Sequence, residues 1–253
     1  MAADLFSLSG KVVVLTGASA GLGQRFARVL SDAGAAVVLA ARRAERLEAL
    51  VEELPEATAV PCDLTEAGAP QALVDAALDA YGQIDVVVNN AGISRVLPAV
   101  DDSIEDYRRE LEINLVAPFE LARCAGAWML DQGRPGAVVN VGSVLGFGGG
   151  GRLRVAGYAS AKGGLHNLTR ELGSQWARKG VRVNAIAPGW FESEMTGEMF
   201  STAGGMAYIV DNTPMGRPGQ EGELDGALLF LASDASSYVT GHVLFVDGGW
   251  TAI

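Results

Sequence analysis

A buried strand that runs directly into a glycine-rich turn is the feature that most constrains the fold of this chain. Residues 11–16 read KVVVLT, a continuous apolar run typical of a strand buried on both faces of a parallel sheet. The turn that follows carries Gly17, Gly21 and Gly23, and the next apolar residues recur at helical spacing until Gly34. The pattern therefore predicts a strand, a glycine turn and a helix in close succession.

Apolar runs alternate with helical patterns along the rest of the chain. Further buried strands are predicted at 36–41, 58–61, 84–89, 137–141, 181–186 and 242–246, and further helices near 45–54, 69–81, 103–129 (with breaks, and with Ser103 as N-cap), 158–179 and 224–232. The alternation predicts the α/β class: a doubly wound Rossmann fold with a seven-stranded, mainly parallel sheet and helices on both faces. The 253 residues are expected to form a single domain over 1–253.

The alternation breaks down between Pro188 and Gly219. This stretch mixes glycines and prolines with methionines and aromatic residues. A segment of this length without a clear pattern inside a compact domain is usually functional. We therefore predict a substrate lid over about 190–218.

Composition and charge exclude several classes of protein. A formal charge of −11 and a pI near 4.6 argue against a nucleic acid or a membrane as the partner. Cys62 and Cys124 match neither a disulfide framework nor a metal-ligand spacing, and His166 and His242 lack a partner pattern, so no metal site is predicted. Residues 1–6 lack an export signal and no apolar run approaches a membrane span, so a cytoplasmic protein is expected.

A tyrosine and a lysine lie four residues apart in the stretch YASAK at 158–162. Side chains at this spacing share one face of a helix, so the ammonium of Lys162 is expected to favour the phenolate of Tyr158 and to lower its pKa. A tyrosine with a lowered pKa is a usable acid and base near neutral pH. Taken alone, the stretch fits an ordinary amphipathic helix equally well.

The glycine turn after the first strand carries a second chemical signal. A turn of this kind places backbone N–H groups and the positive end of the helix dipole against an anionic pyrophosphate. The spacing G-x-x-x-G-x-G differs from the commoner G-x-G-x-x-G. Its place between a strand and a helix nevertheless favours nucleotide binding over a purely structural turn.

Several motifs occur in order along the chain: TGASAGLG at 16–23, NNAG at 89–92, Asn114, Ser143, Y-x-x-x-K at 158–162 and PG at 188–189. In this combination, and over nearly its whole length, the chain resembles the short-chain dehydrogenase/reductase family. The resemblance implies one dinucleotide-binding and catalytic domain. It implies hydride transfer between a nicotinamide cofactor and a carbonyl or secondary alcohol, as in a carbonyl reductase or alcohol dehydrogenase.

The resemblance also implies the catalytic residues. Tyr158 would be the general acid and base, and Lys162 would lower its pKa and hold the nicotinamide ribose. The hydroxyl of Ser143 would polarise the substrate carbonyl, and Asn114 would hold a water that links Lys162 to solvent.

A larger set of residues is implied to bind the cofactor: Gly17, Ser19, Gly21, Leu22, Gly23, Arg42, Asp63, Leu64, Asn90, Ala91, Gly92, Tyr158, Lys162, Pro188, Gly189, Phe191 and Ser193. Asp63 would face the adenine amino group, and the alternative for it is a helix N-cap after the third strand. Ser193 stands where the family has a threonine that contacts the nicotinamide carboxamide, with Thr196 as a substitute.

The end of the second strand indicates which nicotinamide cofactor is used. An acidic residue there would bind the ribose 2′-hydroxyl of NAD(H), but the position holds Ala41, followed by Arg42 and Arg43. A guanidinium suits a 2′-phosphate, so the resemblance implies NADP(H) with Arg42 as the main contact. Two observations keep NAD(H) open: both arginines could be solvated loop charges, and Ala20 stands where NADP-preferring relatives often carry a basic residue.

One departure from the family pattern lies before the tyrosine. Ser143 and Tyr158 are 15 residues apart, two more than in most relatives, and the run 148–152 (GGGGR) looks like the extra length. A glycine run can bulge outward without moving its flanks. We therefore keep Ser143 as catalytic, treat Gly142 as only its neighbour, and expect a distinctive loop beside the substrate.

Apolar residues of the lid and of the loop after Ser143 suggest the substrate. They could line a pocket for a small apolar or aryl ketone, or could pack the lid onto the body: Trp190, Met195, Met199, Phe200, Met206, Tyr208, Val144, Leu145, Phe147 and Leu153. The alternatives are a 3-oxoacyl thioester reductase of fatty-acid synthesis, a sugar or polyol dehydrogenase that uses NAD(H), and a nucleotide-binding scaffold or redox sensor. The resemblance further implies a homotetramer with candidate interfaces at 121–129 and 250–253; core burial is the alternative for 121–129.

Overall fold

Seven strands form a sheet in which every pair of neighbours is parallel. The structure, a computed structural model, describes residues 5–253. The strands are β1 (Val12–Thr16), β2 (Ala36–Ala41), β3 (Ala57–Pro61), β4 (Val86–Asn89), β5 (Gly136–Val141), β6 (Val181–Pro188) and β7 (Val243–Val246). Their order across the sheet is β3-β2-β1-β4-β5-β6-β7. The predicted doubly wound, seven-stranded sheet is confirmed, and it is wholly rather than mainly parallel.

Helices connect the strands and cover both faces of the sheet. They are α1 (Gly21–Asp32), α2 (Ala44–Glu53), α3 (Ala69–Tyr81), α4 (Ile104–Leu111), α5 (Ala117–Asp131), α6 (Ala156–Trp176), α7 (Gly197–Ser201), α8 (Ala203–Asn212) and α9 (Asp225–Ala232). A π-helical turn, Glu112–Val116, joins α4 to α5.

Side chains alternate along β1 between the two faces of the sheet. Val13 and Leu15 pack into one apolar cluster with side chains of α1, α2 and α9. Val12 and Val14 pack into the other cluster with side chains of α3, α5 and α6. Because both faces are covered, the whole of β1 is buried, and this explains why its sequence is apolar throughout.

Some elements differ in detail from their prediction. The helix predicted at 158–179 begins earlier, at Ala156, and its last turn is a 3₁₀ turn. The broken helix predicted at 103–129 is α4, the π-helical turn and α5, and the predicted N-cap is present: the hydroxyl of Ser103 accepts the backbone N–H of Asp106 at 3.0 Å. The segment 190–218 contains α7 and α8, which are too short to show a clear helical period in the sequence.

The strand order reverses between β1 and β4, and this position determines where a site can form. β1 pairs with β2 on one side and with β4 on the other, so the connections that leave β1 and β4 diverge at their carboxyl ends. Open α/β sheets bind ligands in the crevice at such a switch point.

Residues 1–4, on which the expectation of no export signal partly rests, lie outside the described residues. Among the helices of residues 5–253, none has the length and apolar character needed to cross a membrane. Nor does this part of the chain bring together three or more His, Cys, Asp or Glu side chains in a way that could hold a metal ion.

Candidate active site

A cavity of about 560 Å³ lies at the carboxyl ends of the strands. Every residue predicted to bind the cofactor lies on its wall, together with Ser143: Gly17, Ser19, Gly21, Leu22, Gly23, Arg42, Asp63, Leu64, Asn90, Ala91, Gly92, Tyr158, Lys162, Pro188, Gly189, Phe191 and Ser193. Asn114 is fully buried behind this wall. Residues spread over most of the sequence are therefore brought to one cavity by the parallel topology.

The glycine turn has no room for a side chain at Gly17 or Gly23. Gly17 has φ +68°, and a Cβ there would stand 2.8 Å from the Cα of Ala91. A Cβ on Gly23 would strike the carbonyl oxygen of Gly17. Helix α1 starts at Gly21 on the cavity wall, and no side chain of residues 5–253 caps its N-terminus. An open helix N-terminus with its backbone exposed to a cavity fits a pyrophosphate.

A threonine and an asparagine hold this turn in place. The hydroxyl of Thr16 accepts the backbone N–H groups of Asn90 and Ala91, each at 3.0 Å. The amide of Asn90 donates to the carbonyl oxygens of Thr16 and Gly17 at 3.0 and 3.3 Å. The ends of β1 and β4 are thus locked to each other at the base of the cavity.

Asp63 stands on the cavity wall at the end of β3. It accepts hydrogen bonds from the backbone N–H and the hydroxyl of Thr65 at 3.0 and 2.8 Å. These bonds, with a smaller contribution from the charge of Arg42, hold the pKa of Asp63 below its usual value. The alternative interpretation as a helix N-cap is wrong, because α3 begins only at Ala69.

A cluster of charges just beyond the end of β2 was not found from the sequence. Arg43 donates from Nε to the Ser19 hydroxyl at 3.1 Å, and both Arg43 and Arg46 form salt bridges with Glu194, at 3.1 and 2.8 Å. Glu194 is 151 residues from Arg43 in the chain. No local pattern joins two such positions, and the only available signal was the pair of arginines after Ala41.

The hydroxyl, phenol and ammonium predicted to act together share one wall. Ser143 and Tyr158 are neighbours on this wall, and the Ser143 hydroxyl accepts the N–H of Leu145 at 3.2 Å. Lys162 is buried, donates to the carbonyl oxygen of Val141 at 2.7 Å, and lies 5.5 Å from the centre of the Tyr158 ring. The two-residue insertion therefore leaves Ser143 and Tyr158 on the same wall of the cavity.

The ionisation of this pair differs from the expectation. Burial raises the pKa of Tyr158; the neighbouring hydroxyl of Ser143 opposes this rise and the carboxylate of Glu110 adds to it. Burial also lowers the pKa of Lys162 to about 8. The expected lowering of the tyrosine pKa by Lys162 is thus not seen in this structure, because the largest influence on both groups is their withdrawal from water.

His166 lies one helical turn beyond Lys162 and supports the serine. Its Nε2 accepts the backbone N–H of Ser143 at 3.5 Å, and its ring lies against Gly146. Burial, with the nearby charges of Arg170 and Lys162, lowers the pKa of His166 to about 4. The side chain is therefore a neutral, structural group, as the sequence suggested, but it sits directly beneath the predicted catalytic loop.

Asn114 lies in the π-helical turn between α4 and α5. Its amide nitrogen donates to the carbonyl oxygens of Ile93 and Glu110 at 2.8 and 2.9 Å, and its oxygen accepts the N–H of Ile93 at 3.2 Å. Asn114 thereby fixes the backbone that follows Gly92. The water that it was expected to hold stays a prediction.

Glu110 is a buried carboxyl that the sequence did not single out. It accepts the backbone N–H of Arg95 at 2.7 Å, and a Cβ on Gly157, next to Tyr158, would strike it. Burial raises the pKa of Glu110. The only signal in the sequence was that Glu110 lies four residues before Asn114, and this spacing does not distinguish a buried glutamate from an exposed one.

The predicted insertion forms a short irregular loop. It contains a 3₁₀ turn at 151–153 and ends at Arg154, whose φ of 53° is left-handed. The carbonyl oxygen of Arg154 accepts the N–H of Leu97 at 2.8 Å, which ties the loop to the segment after β4. Arg152 and Arg154 are exposed, and neither forms a salt bridge with the described residues.

Most of the apolar side chains expected to form a ketone pocket do not line the cavity. Of the ten, only Met195 is on its wall among the described residues. Trp190, Tyr208 and Trp250 instead pack against one another with ring centres 5.8–6.3 Å apart. This matches the alternative in which these residues pack the segment 190–218 onto the body.

The segment 121–129 packs mainly into the core beneath the sheet, as its alternative interpretation proposed.

A crevice at a switch point, with an open helix N-terminus on one wall and a phenol beside an ammonium on the other, is typical of nicotinamide-dependent oxidoreductases. The family model described as enoyl-(acyl carrier protein) reductase matches residues 17–251. The chain belongs to the short-chain dehydrogenase/reductase family, whose members act on CH–OH and C=O groups with NAD(P).

Individual relatives align over the whole chain. A 2-dehydro-3-deoxy-D-gluconate 5-dehydrogenase of Escherichia coli is 37% identical over 257 residues, which cover 100% of both proteins. A galactitol 2-dehydrogenase (L-tagatose-forming) of Cereibacter sphaeroides is 39% identical, over 98% of this chain and 97% of that protein. The crystal structure of a gluconate 5-dehydrogenase from Burkholderia cenocepacia in complex with NADP and tartrate has a TM-score of 0.94 and 36% identity, covering 100% of both chains.

Proposed function

We propose that this protein is an NADP(H)-dependent dehydrogenase that interconverts a secondary alcohol and a ketone on a polyhydroxy acid. The observation that carries the proposal is that Ser143, Tyr158 and Lys162 lie on the wall of one cavity that the glycine turn also lines, with the Lys162 ammonium 5.5 Å from the centre of the Tyr158 ring. The nicotinamide, when bound, supplies or accepts the hydride.

The side chains of this wall would handle the proton and the developing charge. Tyr158 donates its phenolic proton to the carbonyl oxygen during reduction and takes a proton from the hydroxyl during oxidation. Ser143 donates a hydrogen bond to the same oxygen as negative charge develops on it. Lys162, enclosed near the ring of Tyr158, stabilises the phenolate once the proton has left.

Two observations support NADP(H) as the cofactor. Ala41 leaves no carboxylate for the 2′-hydroxyl of NAD(H), and Arg42 lies on the cavity wall without a salt bridge among the described residues. A guanidinium of this kind suits a phosphate. In addition, the gluconate 5-dehydrogenase of similar structure was crystallised with NADP.

The relatives favour a polyhydroxy acid or polyol over the apolar or aryl ketone that the sequence suggested. The side chains expected to make an apolar pocket mostly pack against one another, which is consistent with a polar substrate. The exposed Arg152 and Arg154 add positive charge to the loop after Ser143, and this charge suits a carboxylate. We assign the segment 190–218 as the substrate lid of the single domain, and a homotetramer stays a prediction.

The test is a substrate panel run in parallel with both cofactors, using NADP⁺ and NAD⁺ for the oxidation of alcohols and NADPH and NADH for the reduction of ketones. It contains 2-dehydro-3-deoxy-D-gluconate, gluconate, galactitol, an aryl ketone and a 3-oxoacyl thioester. We expect the highest kcat/KM with a sugar acid and NADP(H), roughly a hundredfold above the aryl ketone, because a site built for hydroxyl groups rejects a ligand that lacks them. Equal or better turnover of the aryl ketone or the thioester would refute the substrate class, and a preference for NADH would refute the cofactor.

A further inference from the structure

The carboxylate of Glu194 joins the segment after β6 to the start of α2, beside the cavity. Glu194 lies in the segment after β6, whereas Arg43 precedes α2 and Arg46 lies in its first turn. The Glu194 oxygens are 3.1 Å from Nη1 of Arg43 and 2.8 Å from Nη1 of Arg46. Nε of Arg43 binds the hydroxyl of Ser19 on the glycine turn. Ser19, Arg43 and Glu194 all lie on the cavity wall.

This ion pair differs from the other exposed pairs of the molecule. Arg28–Glu53 and Arg217–Glu223 join surface side chains that are not on the cavity wall. Glu194 instead lies on the cavity wall and pairs with Arg43, which lines the same cavity. Its contacts therefore lie just beyond the end of β2, where the proposed cofactor would place its adenosine ribose.

The two arginines resemble an anion-binding site in which the carboxylate of Glu194 takes the place of the anion. Two guanidinium groups that converge on one group of oxygens form an arrangement that also binds phosphate. Hydrogen bonds from Arg46 and then Arg43 hold the pKa of Glu194 below its usual value, so its carboxylate is ionised at neutral pH.

A 2′-phosphate would compete with this carboxylate. It brings its own negative charge to the end of β2, where Arg42 and Arg43 follow Ala41. Like charges this close repel each other, and the same guanidinium N–H groups cannot serve both anions fully. A 2′-hydroxyl carries no charge and raises no such conflict.

We propose that Glu194 is a specificity-determining residue for the cofactor: it holds Arg43 and Arg46 as an internal anion and weakens the binding of a 2′-phosphate relative to a 2′-hydroxyl. The inference rests on the proposed use of NADP(H), whose affinity Glu194 would then limit. The side chains of the pairs are 42–59% exposed, so the effect is modest, about threefold to tenfold in Kd.

The experiment compares two probes that differ in the position of one phosphate and need no substrate. Titration calorimetry measures the Kd of 2′,5′-ADP and of ordinary 5′-ADP for the wild type and for Glu194→Gln, which removes the charge and keeps the shape. We expect 2′,5′-ADP to bind about threefold to tenfold more tightly to the variant, while the Kd of 5′-ADP changes by less than about twofold. Glu192→Gln, two residues away on an exposed side chain without a salt bridge among the described residues, should change neither.

A second set of variants tests whether Glu194 acts through the two arginines. In an Arg43→Gln/Arg46→Gln protein, the further change Glu194→Gln should strengthen 2′,5′-ADP binding less than it does in the wild type, because only the repulsion by the Glu194 charge is removed and no guanidinium is released. A gain there as large as in the wild type, an equal gain for both probes, no gain in the wild type, or weaker binding of 2′,5′-ADP would each overturn the proposal.

The outcome also separates this inference from the proposed function. If the wild type prefers 2′,5′-ADP and the variant keeps the same ratio, the role of Glu194 fails while NADP(H) stands. If neither protein prefers 2′,5′-ADP, the assignment of NADP(H) itself fails. The melting temperature of each variant, measured alongside, shows whether it is folded.

Discussion

Different interactions hold the two sides of the cavity in place. The side built from strand ends uses buried groups with short hydrogen bonds: Thr16 to Asn90, Lys162 to Val141, and Asn114 to the backbone. The side built from 190–218 is attached by aromatic contacts and by the exposed pairs of Glu194.

The two sides also differ in whether their buried polar atoms have hydrogen-bond partners. Asn114 uses both its nitrogen and its oxygen in hydrogen bonds. The buried side-chain atoms without a partner among residues 5–253 are Nε1 of Trp190 and Oγ1 of Thr213, and both belong to the segment 190–218. An unpaired buried polar group is unfavourable, so this segment is less strongly tied to one conformation than the strand ends are. We therefore expect the fixed side to carry the proposed proton transfer, and the weakly attached side to affect ligand entry and selection as the proposed lid.

The largest effect is expected on the fixed side. Tyr158→Phe removes the proton donor and leaves the ring, so kcat should fall by about 10² to 10⁴-fold while NADPH still binds. The measurement is steady-state turnover with fluorescence titration of NADPH. Tyr238→Phe, at a fully exposed tyrosine, is the matched control and should behave as the wild type. Turnover within tenfold of the wild type in Tyr158→Phe would remove Tyr158 from its role.

An intermediate effect is expected from the support beneath Ser143. The pKa of His166 is about 4 in the fold, against 6.5 as the ordinary value. Between these pH values the unfolded chain binds a proton that the folded chain does not, so stability falls as the pH falls. His166→Gln removes this titration. From pH 7 to 4.5 the wild type should lose about 2 to 3 kcal/mol more of its free energy of unfolding than the variant.

Urea unfolding at each pH measures this difference, and the exposed His242→Gln provides the control, which should follow the wild type. Identical pH profiles for the wild type and His166→Gln would mean that the buried histidine has no coupling to stability.

The smallest effect is expected on the weakly attached side. Tyr208→Leu removes ring contacts to Trp190 and Trp250, which are worth about 0.5 to 1.5 kcal/mol each beyond the area that they bury. KM for the substrate should rise by about threefold to tenfold with kcat nearly unchanged, and amide exchange should speed up in 190–218 but not in 137–166. Tyr208→Phe keeps the ring and should match the wild type. A loss in kcat without a change in KM would place Tyr208 on the chemical step instead.

Much of the fold and the cofactor wall was predictable because the signals are local. The strand β1 shows itself by an unbroken apolar run, since both of its faces are covered. Gly17 and Gly23 are recognisable in the sequence because backbone atoms lie where a side chain would stand, so only glycine fits. Tyr158 and Lys162 show themselves by the spacing that places them on one helical face.

The strands, the glycine turn and the Tyr158/Lys162 pair were predictable from the sequence, because each depends on neighbours within a few turns of chain, whereas Ser143 and Asn114 were implied by the family resemblance. Only the tertiary structure decided how those groups ionise and what they touch. Burial raises the pKa of Tyr158 against the expectation, Glu110 lies against Gly157, and Glu194 reaches Arg43 across the cavity. The physical reason is that desolvation and long-range ion pairing depend on which distant residues the fold brings together, and no periodicity along the chain records that.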